Sequence, residues 1–385
     1  MASMAETAGP VSRCRLLAEA FKEKGIKVAS CMAEDVNFRR IHGVKNYAPD
    51  VPMPLGLPSV IAKRSFPLAQ KLGLTSRVAV HSFDKVLQIT GNLSYSYLKK
   101  SVARIEAAID EFRPDLVYSE FSIPAIIAAK HKGVRLAATV SYPTQYEYAN
   151  EPRYAKGLNR LLKELSMETL PSALKLFELA DLRFCPSIAA LEPFDKEKVV
   201  FCGTLNRPVT EKKTQKRILV YMGNGSIPAA KCAEVLKEAF AETRYEIYFA
   251  TSYLEEKTDG KLHIAARWDF ASMLDETVLF INHGGQNSMM DGLVHGVPQI
   301  VIPGKVFERR YNAAKLKENG AGIVLSEENF VPDKLFDLAL KVITSRKMRR
   351  NAEKLGKELL KAGGAELVAE LIKKDLREVL KKGGQ

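Results

Sequence analysis

The chain has 385 residues, with 58 Lys and Arg against 45 Asp and Glu and a formal net charge of +13. Its composition, 46% hydrophobic and 27% charged, is that of an ordinary globular protein and excludes wholesale disorder and collagen-like repeats. The length allows two domains with a core each, and no run approaches the ~18 consecutive apolar residues of a membrane-spanning helix.

The opening MASMAETAG has no charged region followed by an apolar run, so no secretory signal is expected there. The strand ASMA near the start is weakly marked. Helical spacing follows over Val11–Lys24, then a strand-like Lys27–Met32. Cys14, Cys31, Cys185, Cys202 and Cys232 are odd in number and never form a CxxC pair, which reads as free thiols in a reducing, cytoplasmic setting.

Between Asp50 and Asp84 there is no acidic residue. Lys63, Arg64, Lys71 and Arg77 stand there among Val51, Leu55, Leu57, Val60, Ile61, Phe66 and Leu68. Residues 51–77 therefore suit peripheral contact with an anionic membrane surface, at about 1 kcal/mol per cation; the same pattern also suits a solvated loop and helix over an internal core. No basic stretch is interleaved with stacking aromatics, so nucleic acid is not an expected partner.

Further along, Asp115–Glu120, Arg135–Ser141 and Leu182–Pro186 read as strands, with helical spacing over Ile123–Lys132. The second half repeats the alternation: strands at Ile218–Gly223, Tyr245–Thr251, Val278–His283, Pro298–Pro303 and Gly322–Leu325, and helices near 228–241, 286–295, 309–319 and 333–344. Such alternation predicts α/β architecture with parallel, doubly wound sheets. The polar run VTEKKTQK marks a linker. The expected organisation is a first domain over 1–200, a linker over 201–216, a second domain over 217–345 and carboxyl-terminal helices over 346–385, broken at Gly363–Gly364.

Chemistry concentrates in FINHGGQNSMMDGLVHGVPQIVIPGKVFERRYNAAKLKENGAG, Phe280–Gly322. An apolar strand ends at His283, Gly284 and Gly285 permit a tight turn, and a helix opens at Gln286. The backbone N–H groups of Gln286 and Asn287 and the Ser288 hydroxyl make a place for a phosphate or diphosphate, at the carboxyl end of a parallel strand where α/β sheets bind ligands.

The segment resembles the donor-binding signature of GT-B glycosyltransferases of the UDP-glycosyltransferase superfamily: HGG, two residues, Ser or Thr, an acidic residue three further on, GVP, a strand ending in Pro, an acidic residue with Gln, and Asn-Ala. His283, Gly284, Gly285, Ser288, Asp291, Gly296, Val297, Pro298, Pro303, Glu308, Asn312 and Ala313 carry the likeness. The resemblance implies two Rossmann-like domains facing a cleft, with a last helix crossing back to brace the first. It implies a nucleotide-sugar donor, UDP-linked, in the second domain and a small-molecule acceptor in the first; if residues 51–77 meet a membrane, a lipid-linked acceptor on its cytoplasmic face follows. His283 would lie near the diphosphate, Trp268 near the base, and Gly223, Asn224 and Gly225 along the opposite edge of the nucleotide pocket. Glu308 would accept hydrogen bonds from the sugar. The nucleotide-sugar is a substrate; no cofactor and no metal are called for.

Two departures bear on mechanism. The usual Gly-His of the first loop is Gly9-Pro10 here, so the histidine base is missing; Glu120 and Glu6 are the candidate replacements. Arg309 replaces the usual Gln, suited to pair bidentately with phosphate or with a carboxylate on the donor sugar. The first departure leaves a nucleotide-sugar 2-epimerase and a catalytically silent nucleotide-sugar-binding relative open beside the transferase. For Trp268 core packing stands beside base stacking, and for Glu120 a solvated carboxylate stands beside catalysis. His42, His81, His131, His263 and His295 show no ligand spacing.

Overall fold

The computed structural model describes residues 1–383 apart from 6, 54–78, 196, 207, 209–215 and 224, with side chains as far as residue 378. Contacts divide the chain into two units: Met1–Leu68 with His81–Asn206 and Ala362–Gln385, and Ala69–Val80 with Arg207–Lys361.

The first unit runs β1 (Ala2–Ser3), α1 (Ala8–Glu23), β2 (Ala29–Ser30), β3 (Lys45–Asn46), α2 (Phe83–Ile89), α3 (Tyr95–Phe112), β4 (Leu116–Glu120), α4 (Ile123–His131), β5 (Arg135–Thr139), α5 (Lys156–Glu164), β6 (Leu182–Cys185) and β7 (Val200–Phe201). Its main sheet has the order β1-β4-β5-β6-β7 and is parallel throughout. α3 buries Leu98, Val102, Ile105 and Ile109, spaced three and four apart on one face. It stops at Arg113, which takes a left-handed φ of 51°. α4 is different: Ile123 through Ala129 are all buried, the pattern of a helix covered on every side. Pro124, in its first turn, lacks only an N–H that would have had no helical partner.

The second unit runs β8 (Arg217–Tyr221), α6 (Ala229–Ala239), β9 (Glu246–Ala250), β10 (Lys257–Asp259), β11 (Leu262–Ala265), α7 (Phe270–Leu274), β12 (Thr277–Asn282), α8 (Gln286–Val294), β13 (Gln299–Val301), α9 (Phe307–Glu318), β14 (Gly322–Val324), α10 (Pro332–Thr344) and α11 (Arg346–Lys361). Its sheet order is β10-β11-β9-β8-β12-β13-β14, parallel except for β10. Val80 joins this unit by a bridge to Val306, its N–H donating to the Lys305 carbonyl and its carbonyl accepting from Phe307.

α11 packs on α8 so closely that a β-carbon at Gly356 would lie 2.0 Å from the Leu293 carbonyl oxygen. The expected grouping of 346–385 is therefore divided: α11 stays with the second unit, and only α12 (Gly364–Gly383) returns to the first. There Val368, Ala369 and Ile372 meet Leu17, Phe21, Tyr118 and Phe184, and the Asp375 carboxylate takes two 2.5 Å hydrogen bonds from Arg135 of β5. Half of the expected linker, and the four cations of 51–77, lie outside the described residues. Among the described residues no helix is long and apolar enough to cross a membrane.

Candidate functional site

Every residue of β12 is buried, and it lies between β8 and β13 in the sheet. At its carboxyl end the chain turns over His283, Gly284 and Gly285, and α8 begins. Three amide side chains fix this turn. Asn282 Oδ1 accepts from the Gly284 N–H at 2.9 Å, and Asn312 Nδ2, on α9, donates to the Gly284 carbonyl at 2.9 Å. Asn282 Nδ2 donates to Gln299 Oε1 at 2.8 Å, while Gln299 Nε2 donates to the Met289 carbonyl at 2.8 Å. Gly284 has φ of +84°, and a β-carbon there would lie 2.9 Å from Val301 Cγ1 and 3.0 Å from the Arg309 carbonyl oxygen, so the position requires glycine on both counts.

His283 is 9% exposed. Its ring meets Tyr221 edge-on, with centroids 5.3 Å apart, and Nδ1 makes a long 3.4 Å hydrogen bond to the Tyr221 carbonyl. Glycines stand on two sides of it: a β-carbon would lie 2.8 Å from Nε2 if placed on Gly285, and 3.4 Å from Cε1 if placed on Gly223. Burial first, and then the charge of Arg309, hold the His283 pKa down at about 3, against the opposing pull of the Tyr221 carbonyl. The imidazole is therefore neutral near neutral pH. Arg309, in the first turn of α9, is half-buried, and its desolvation lowers its pKa; Glu308 beside it acts the other way. On α8, Gln286 and Ser288 are buried, Asn287 is exposed, and burial raises Asp291 to about 7.

Trp268 is half-buried. Its indole N–H donates to the Phe249 carbonyl at 3.4 Å, and it meets Tyr248 edge-on at 5.1 Å. Phe270 continues this aromatic group, 5.5 Å from Tyr221 and 6.0 Å from Phe280. After β8, Gly225 fits against the Met222 carbonyl, 2.7 Å from where its β-carbon would be; Asn224 lies outside the described residues.

The candidate bases fare differently. Glu6 lies outside the described residues. Glu120 ends β4 with no exposure at all, so it is not the solvated carboxylate of the alternative reading. One oxygen accepts from Arg13 Nε on α1 and the other from the Thr139 hydroxyl, which also meets the Tyr118 hydroxyl at 2.8 Å. Burial raises its pKa while Arg13 and Thr139 oppose the rise. A carboxylate with both oxygens engaged inside a core holds α1 to the sheet and presents nothing to an acceptor; this geometry speaks for a structural part rather than for general base. Among the described residues no three His, Cys, Asp or Glu side chains converge as a metal site would require.

Asn282 and Gln299 were not singled out by their sequence pattern, although both are polar side chains in otherwise apolar strands. Tyr221, the wall of the His283 pocket, carries no sequence signal that separates it from an ordinary strand residue.

Residues 255–374 match the family model of the Erythromycin biosynthesis protein CIII-like, C-terminal domain. The chain is 24% identical over 310 residues to the NDP-glycosyltransferase YjiC of Bacillus licheniformis, covering 71% of this chain and 76% of that one. The calicheamicin glycosyltransferase CalG4 superposes with a TM-score of 0.75 at 16% identity, over 98% of this chain and 97% of its own. The spinosyn rhamnosyltransferase SpnG, solved with thymidine diphosphate, superposes at 0.68 with 14% identity, over 97% of this chain and 99% of its own. The chain has the GT-B fold of these glycosyltransferases. Its two units are the two Rossmann-like halves of that fold, and the matched family stretch contains all of Phe280–Gly322.

Proposed function

We propose that the protein moves a sugar from a nucleoside-diphosphate donor, UDP- or dTDP-linked, to a hydroxyl of a small-molecule acceptor. The observation that carries this reading is the turn at Gly284–Gly285, which opens α8 at the carboxyl end of a central parallel strand beside a buried, neutral His283. The acceptor oxygen attacks the anomeric carbon, and the bond from that carbon to the diphosphate breaks. The electron pair leaves with the diphosphate, and the acceptor proton passes to a base. The start of α8 stabilises the departing charge. With Glu120 enclosed by Arg13 and Thr139, phenols, which ionise more readily than sugar hydroxyls, are the acceptors to try first. The relatives, named as glycosyltransferases, support this reading over an epimerase.

Thermal unfolding with UDP, dTDP and ADP tests the donor half, because a ligand that binds only the folded state raises Tm. UDP or dTDP should raise it; no shift with either removes the donor reading. Turnover of UDP-glucose and dTDP-glucose with a panel of phenols, followed by nucleoside-diphosphate release, tests the transfer. The acid-free stretch 51–77 favours a second reading, an acceptor presented on an anionic lipid surface. Cosedimentation with phosphatidylglycerol vesicles that is lost at high salt supports it, and absence of binding at low salt removes it.

A further inference from the structure

We infer that the Arg309 guanidinium holds the diphosphate of the donor. The inference rests on the donor reading and adds which group carries the compensating charge. A diphosphate esterified to a nucleoside and a sugar has two negative charges and no proton to lose or gain near neutrality. Bringing it against the Gly284–Gly285 turn removes it from water, and a partly desolvated anion requires a positive partner. The start of α8 supplies only a partial charge, roughly +0.5. His283 supplies none, because it is neutral near neutral pH. Lys305 and Arg310 are exposed.

Arg309 is placed differently. Where Gly284 would carry a β-carbon, the Arg309 carbonyl oxygen is 3.0 Å away and the Arg309 β-carbon 3.4 Å away, so the residue lies against the turn. Asn312, three residues further along α9, ties that helix to the Gly284 carbonyl, which fixes the spacing. The guanidinium charge acts on both His283 and Tyr221, the two rings of the pocket beside the turn. A planar guanidinium is weakly hydrated and offers two parallel N–H groups to two phosphate oxygens, which a lysine in the same place cannot do.

Isothermal titration of the full chain with UDP, UDP-glucose, UDP-glucuronate and uridine, for wild type, R309K and R309Q, tests this; dTDP and thymidine replace the uridine series if those are preferred. R309Q should weaken UDP and UDP-glucose by at least about tenfold and leave uridine unchanged, with R309K recovering part of the loss. Raising NaCl from 50 to 300 mM should weaken UDP binding to the wild type several-fold, and less in R309Q. Equal UDP affinity in wild type and a folded R309Q overturns the inference while the donor reading stands. A loss confined to UDP-glucuronate also overturns it, since the guanidinium would then face a sugar carboxylate. Absence of nucleoside-diphosphate binding in the wild type removes the donor reading and this inference together. If R309Q does not fold, the wild-type salt dependence decides: UDP affinity unchanged by salt sinks the proposal.

Discussion

Two groups, the buried His283 in the turn and the half-buried Asp291 on α8, pull stability in opposite directions across mildly acidic pH. His283 falls from an ordinary 6.5 to about 3, so between those values the unfolded chain binds a proton that the folded chain refuses, and stability drops as pH falls. Asp291 rises from 3.8 to about 7 by burial, so over that range the folded chain holds a proton that the unfolded chain has lost, and stability drops as pH rises. Each effect is at most about 5 kcal/mol, and in the wild type they offset. H283Q should therefore lose stability relative to wild type as pH rises from 4 to 6.5, and D291N should gain it. Trp268 is the only tryptophan and lies in the second unit, so urea unfolding followed by its fluorescence reads the effect where it arises. Parallel pH curves for all three proteins would show that neither group is shifted. Glu120 gives a second case at this scale. E120Q leaves the Arg13 guanidinium buried without its counter-charge and should destabilise the first unit by about 3–5 kcal/mol. Turnover per folded molecule should stay within about twofold. A collapse of kcat at unchanged stability would restore the carboxylate as base.

The elements of the second unit depend on close approach as much as on apolar burial. At Gly356 the β-carbon of an alanine would meet the Leu293 carbonyl of α8 at 2.0 Å, and backbone cannot rotate out of the way as a side chain can. G356A must push α11 off α8, with an expected cost of about 2–4 kcal/mol in unfolding free energy. Because α8 opens the site, nucleoside-diphosphate affinity should fall along with stability, and an alanine variant as stable as the wild type would show that the helices are not packed this tightly. Most of these elements could be read from the sequence. Strands β8, β9, β12 and β13 are short apolar runs between helices of clear period, and the break at Gly363–Gly364 coincides with two positive φ angles. Between Thr251 and Val278 the pattern offered no element, yet β10, β11 and α7 occupy it, because strands of three and four residues and a five-residue helix are too short to show a period. The turn at His283 was legible from its glycines. The enclosure of Glu120 was not, since Arg13 and Thr139 are 107 and 19 residues away and only the fold brings them together.

For the whole molecule, the decisive feature is that the chain leaves the first unit near residue 206 and comes back to it at residue 362. The first unit's core is thus completed by residues that follow the second unit in the chain: Val368 and Ile372 are almost wholly buried against Leu17, Phe21, Tyr118 and Phe184. Two such aliphatic side chains contribute roughly 4 kcal/mol together, and the two-pronged contact between Arg135 and Asp375 adds to this in a partly buried setting. α11, packed on α8, does not share in that core, so a cut after Lys361 separates the two contributions cleanly. A chain ending at residue 361 should exchange its amide hydrogens in α1 and β4 at least about a hundredfold faster, because opening of the first unit becomes that much cheaper. Exchange in β12 and β13 should be unchanged, and UDP or dTDP should still raise the melting temperature of the second unit. Equal acceleration in both sheets would mean that the last helix supports the molecule as a whole; no acceleration in either would mean that α12 is dispensable to the core it completes.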